Sequence, residues 1–95
     1  MVNSFDVKYQ AKGRWREIIL GLTSVTSHQL DKRHQSCPFC GGKDRYRFDD
    51  YLSDGNWFCN RACSGRQSSN GFGFLMMYFN EDFNQVYKRV KEYLK

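Results

Sequence analysis

Four cysteines in two close pairs constrain this chain more than any other feature. Cys37 and Cys40 have two residues between them, and Cys59 and Cys63 have three. Eighteen residues separate the pairs, inside the range of about 15–20 used by four-ligand zinc sites. No cysteine is left over. Met1 to Gln10 lacks the apolar core of a signal peptide. No apolar run approaches the roughly 18–20 residues that span a membrane. The expected location is therefore cytoplasmic, where paired cysteines bind metal more often than they form disulfides.

The first pair reads as a metal knuckle. Two thiolates two residues apart can grip one tetrahedral ion, and the backbone N–H groups of the loop can donate to the sulfurs. Gly41 and Gly42 permit the tight left-handed turn that follows Cys40. Four thiolates suit one Zn²⁺, and a closed four-ligand site makes that zinc structural, with no open position for a catalytic water. Two alternatives stay open at this point. An iron–sulfur centre also takes four thiolates. The longer second loop displaces Cys63 in one reading, and His34, three residues before Cys37, then replaces it as a ligand.

Around this centre the chain reads as one domain, residues 1–95. A domain of this size buries only about 60–70 % of its unfolded surface. A metal staple then supplements a thin core. With 40% hydrophobic and 17% aromatic residues, it is not a disordered chain. An N-terminal helix is expected over about 11–24. Trp15, Ile18, Ile19 and Leu22 fall at helical spacing, and Gly21 is its expected stop. The ribbon occupies 34–63. From Lys43 to Asp49 the residues alternate: Tyr46 and Phe48 share one face, and Lys43, Arg45 and Arg47 the other. Ser53 to Asn56 reads as a turn, and Asn56 to Cys59 as the return strand. A Ser/Gly-rich loop takes 64–71, and helices take 72–95. Asn80 is the expected cap of the last helix, whose apolar face carries Phe83, Val86, Tyr87, Val90 and Leu94. The fold class is small α+β: a zinc ribbon, meaning a β-hairpin with two cysteine knuckles, flanked by an N-terminal helix and C-terminal helices.

The run from His34 through Cys37-Pro38-Phe39-Cys40-Gly41-Gly42-Lys43-Asp44-Arg45-Tyr46-Arg47-Phe48-Asp49-Asp50 resembles the zinc-binding domain of phage and plasmid primase–helicases. Within that family the run looks like the satellite-phage alpha-type replication proteins. Gly55-Asn56-Trp57-Phe58-Cys59-Asn60 continues the likeness, as do Gly71-Phe72 and the upstream Ala11-Lys12-Gly13-Arg14-Trp15. The family usually closes its second knuckle with two intervening residues and a short Gly-rich turn. This chain has three, then the longer Ser64 to Asn70.

The resemblance implies a module that engages single-stranded template DNA and supports primer initiation, without catalysis of its own. Neither the clustered carboxylates of a primase nor the phosphate-binding loop of a helicase is present. The chain is then a domain of a larger protein or a free-standing relative acting in trans. Lys43, Arg45 and Arg47 are the implied DNA contacts, with Arg61 as a further cation.

The residues alone leave the choice open. The formal charge is +5, and a tetrathiolate zinc lowers it to about +3. Cations meet phosphate, and aromatic faces such as Trp57 and Tyr46 stack on unpaired bases. A plain solvated face competes with this reading. So does a protein-interaction role, in which the ribbon docks a primase, polymerase or helicase subunit through the Phe- and Met-rich segment at 72–79.

Overall fold

A computed structural model describes residues 4–31, 33, 35–41, 46–59 and 68–94. The chain opens with two helices, α1 (Ser4–Ala11) and α2 (Trp15–Leu22). They are separated at Gly13, whose φ of 81° is a left-handed conformation that suits glycine. Trp15, Ile18 and Ile19 are buried, as their spacing predicts. Gly21 does not stop α2, which runs on through it. Its bare Cα lets the Tyr93 ring lie against the helix, where a Cβ would collide with it. The earlier helix α1 lacks a strong apolar stripe. Its Val7 and Ala11, at i and i+4, are buried on one face, and the helix packs against α4 (Phe83–Tyr93).

A short turn of 3₁₀ helix, Ser27–Leu30, brings Leu30 back to the core. The sheet follows, with strands β1 (Tyr46–Phe48), β2 (Trp57–Cys59) and β3 (Ser68–Ser69) in that order. Both pairings are antiparallel. Tyr46 pairs with Cys59, Arg47 with Phe58 and Phe48 with Trp57. Successive residues point to opposite faces. Tyr46, Phe48, Trp57 and Cys59 are thus buried, while Arg47 and Phe58 lie on the outer face. Strand β3 lies within the segment expected to be loop.

Helices α3 (Gly71–Phe79) and α4 close the fold against α1 and α2. Asn70 caps α3: its side-chain oxygen accepts from the Gly73 N–H at 2.9 Å, which satisfies one of the free donors of the first turn. Gly71 is the first helical residue because Trp15 leaves room for nothing larger; a Cβ there would run into the indole. Asn80, expected to begin the last helix, instead ends α3 in a left-handed conformation with a φ of 54°. Asn tolerates that conformation better than most residues. The cap of α4 is Asp82. It forms a reciprocal pair with Gln85, each side chain accepting from the other's backbone N–H, at 2.9 and 3.0 Å, the arrangement of a capping box.

The core is aromatic at its centre. Trp57 is fully buried, with ring centroids of Phe39, Phe74 and Tyr46 at 5.0, 5.9 and 6.2 Å, and its indole N–H donates to the Asn70 carbonyl at 3.2 Å. Among the described residues, no helix is long and apolar enough to cross a membrane.

Trp57→Ala is expected to cost about 3–5 kcal/mol in stability by leaving a cavity at this centre. Asp82→Ala is expected to cost about 1 kcal/mol through loss of one helix cap. Urea melts of the two variants check the ratio; equal losses would mean that the indole is not central to the core.

Candidate metal centre and the hairpin face

The knuckle from Cys37 to Gly41 is a hydrogen-bonded turn. The Gly41 N–H donates to the Cys37 carbonyl at 2.8 Å. Gly41 takes a φ of 71°, the left-handed conformation its sequence position predicts. Inside the turn, the Phe39 N–H donates to Cys37 Sγ at 3.4 Å. Such a bond favours the thiolate over the thiol. The Phe39 side chain points the other way and packs on Trp57 and Phe74, at 5.0 and 4.9 Å between ring centroids. The turn that carries two thiols is thereby fastened to the core.

The hairpin delivers the third thiol. Cys59 ends β2 on its buried face. The sulfurs of Cys37, Cys40 and Cys59 all lie within 4.8 Å of one another, and Cys40 and Cys59 are 3.7 Å apart. Zinc binds thiolates at about 2.3 Å, which gives a tetrahedron with S–S edges of about 3.8 Å. The spacing therefore fits a shared zinc ion, and an all-sulfur donor set suits zinc chemically. Cys37 and Cys59 are buried and Cys40 is exposed at the rim. The expected fourth ligand Cys63, and His34 as its alternative, lie outside the described residues.

Tyr46 adds an electrostatic observation. Its hydroxyl is buried and has no hydrogen-bond partner among the described residues. Burial raises its pKa strongly, and the negative charge of Cys37 raises it further, since both disfavour the phenolate. The phenol thus stays protonated beside the sulfur cluster.

The outer face of the hairpin holds a second arrangement. The Arg47 guanidinium lies 4.4 Å from the centroid of the Phe58 ring, its cross-strand partner, in the geometry of a cation–π contact. Its Nε donates to both Asp49 oxygens, at 2.8 and 3.0 Å. About a third of the Arg47 side chain is exposed. Lys43, Arg45 and Arg61, the other cations singled out from the sequence, lie outside the described residues. The structure does not leave Trp57 or Tyr46 available to stack on a base. Both are fully buried, since the alternation that exposes Arg47 turns them inward. Among the described residues of β1 and β2, the aromatic on the outer face is Phe58. Nor is the Phe- and Met-rich segment a bare apolar surface. Phe72, Phe74 and Leu75 are buried, and Met76, Met77 and Phe79 are partly covered.

Residues 32–72 match the family of the zinc-binding domain of primase-helicase. The match covers less than half of the chain: the cysteine segment, the hairpin and the first residues of α3. Helices α1, α2 and α4 lie outside it. No solved structure matches the chain.

Cys37→Ser and Cys59→Ser are each expected to lower bound zinc and to abolish cooperative thermal unfolding, because metal binding in small domains supplies folding free energy. Zinc content and a thermal melt measured on the same sample check this. A variant that has lost its zinc and still melts cooperatively at the parent temperature would contradict it.

Proposed function

We propose that this chain, which carries the zinc-binding domain of primase-helicase over residues 32–72, is a non-catalytic module that holds single-stranded template DNA during primer initiation. One zinc ion, bound by Cys37, Cys40, Cys59 and Cys63, staples the two knuckles and orients the hairpin between them. The whole of 1–95 acts as one domain, and its place of action is the cytoplasm.

One observation carries the reading. A cluster of three thiols lies behind a hairpin whose outer face presents a cation stacked on an aromatic ring. Phosphate contacts from Lys and Arg, combined with aromatic faces for unpaired bases, are how single strands are held without strict sequence preference. Arg47 and Phe58 supply one such pair, and Lys43, Arg45 and Arg61 are the further phosphate contacts of this proposal. Zinc in this role supplies folding energy and fixes geometry; the chain's own residues make the DNA contacts.

A second reading has support at the hairpin tip. Tyr51 and Leu52 are each 64% exposed. Leu52 takes a φ of 56°, a conformation that costs a bulky residue energy. An exposed apolar pair on strained backbone suits docking onto a primase or helicase subunit. The two roles use different surfaces and are compatible.

Fluorescence anisotropy with single- and double-stranded oligonucleotides over a salt series tests the first reading. Single strands should bind more tightly, with affinity falling steeply as salt rises. Arg47→Ala should weaken binding at unchanged zinc content and reduce the salt slope by about 0.7 if it removes one phosphate contact. Absence of binding at low salt would assign the module to protein docking instead.

A further inference from the structure

A groove of about 790 Å³ opens where α1, the sheet and α3 meet, on residues that the family match covers only in part. Its walls combine Phe72, Phe83 and Met76 with the polar side chains of Lys8, Asn56 and Asn70. Volumes of about 300–1,000 Å³, apolar walls and a few placed polar groups are the usual make-up of a small-ligand site.

The charges narrow the ligand. Glu81 also reaches the groove, but Arg89 donates to both of its oxygens, at 2.7 and 2.9 Å. That pairing holds the Glu81 carboxyl below its ordinary pKa and offsets its charge. Lys8 has no ion-pair partner among the described residues; its ammonium stands 5.5 Å from the centroid of the Phe83 ring. Among the described residues, the groove therefore presents one cation without an ion-pair partner, flat and thioether walls, and two side-chain amides. The Asn70 oxygen is already taken by the Gly73 N–H, so its NH₂ group is the part available as a donor. The groove keeps its depth here because Gly73 has no Cβ; one would run into Ser69 Oγ.

We infer that this groove holds one unpaired nucleotide of a bound single strand. The base lies against the Phe and Met walls, its polar edge meets Asn56 and Asn70, and the adjoining phosphate meets Lys8. The inference rests on the single-strand reading of the hairpin face, and it extends that face. Asn56 immediately precedes β2, so alternation puts it on the side of Phe58. The pairing of Trp57 with Ser69 places it across from Asn70. A strand crossing Arg47 and Phe58 meets the groove at Asn56.

The test uses the zinc-loaded chain and a short oligothymidylate, with Phe83→Leu and Lys8→Ala as variants and Arg47→Ala alongside. Phe83→Leu retains apolar bulk and removes the ring, and zinc content and melting temperature check that each variant is folded. Losing one stacked base should weaken binding about fivefold or more. Lys8→Ala should weaken binding and flatten its salt dependence. Amide NMR shifts at Gly73, Met76 and Met77 on adding the oligonucleotide would place the strand in the groove. If Arg47→Ala weakens binding while both groove variants bind as the parent does, the inference is overturned and the hairpin reading stands. If the parent chain binds no single strand, both fall, and the groove is left to a protein partner.

Discussion

Phe39 makes the metal knuckle and the hydrophobic core one object. It sits between two cysteines whose sulfurs face the cluster, and its own ring is held between Trp57 and Phe74. In a domain with so small a core, neither half is self-sufficient. The thiols need a turn held in a fixed place, and the aromatic cluster needs the knuckle to cover one side of the indole. Trp57 belongs to the same strand as Cys59, two residues away, so packing of that indole also sets where the third sulfur points. Metal binding and core packing are therefore coupled through adjacent residues of two short segments.

How much of this could be read beforehand depended on whether a residue's role was local or tertiary. The hairpin was legible because period-two alternation is a local property. Tyr46 and Phe48 lie on one face and Arg47 on the other, as their spacing predicts, and the structure buries the aromatic face. The buried face of α2 was legible for the same reason. Helix α1 was not, since Val7 and Ala11 alone give too faint a stripe to distinguish from a polar lead-in. Helix α3 was expected to begin after Gly71 because glycine ordinarily interrupts helices. Here Gly71 is required by the Trp15 ring and Gly73 by Ser69, contacts from distant elements or from the sheet that no local pattern announces. Asn80 was a good cap candidate by residue type, but the Asp82–Gln85 pair offered two reciprocal bonds and won.

The candidate site divides in the same manner. Three of its thiols converge as their spacing suggests. Trp57 illustrates the opposite case. Strand alternation requires that one of Trp57 and Phe58 face outward, and it does not say which. The larger ring buries more apolar area and finds a carbonyl for its N–H in Asn70, so it takes the interior and leaves Phe58 outside. The groove was invisible in the sequence because its walls come from α1, the edge of the sheet, α3 and the start of α4, elements that meet only in the fold.

The distribution of charge bears on how such a surface meets a polyanion. Among the described residues, the ion pairs all use arginine: Arg14 with Glu17, Arg33 with Asp31, Arg47 with Asp49 and Arg89 with Glu81. Partial pairing of Arg47 does not remove it from the proposed DNA face. A solvent-accessible ion pair is worth only about 0–1 kcal/mol and is screened by salt. The Arg47 and Asp49 side chains are each about a third exposed, so on the proposed reading a phosphate competes with Asp49 for the guanidinium. The stacking on Phe58 is independent of that exchange, because it depends on the ladder that sets Arg47 opposite Phe58. The carboxylate is then an exchangeable partner, while the ring keeps the guanidinium flat and aimed outward. That geometry is maintained by the hairpin, and the hairpin ends at Cys59, so orientation of the cation traces back to the cluster of sulfurs behind it.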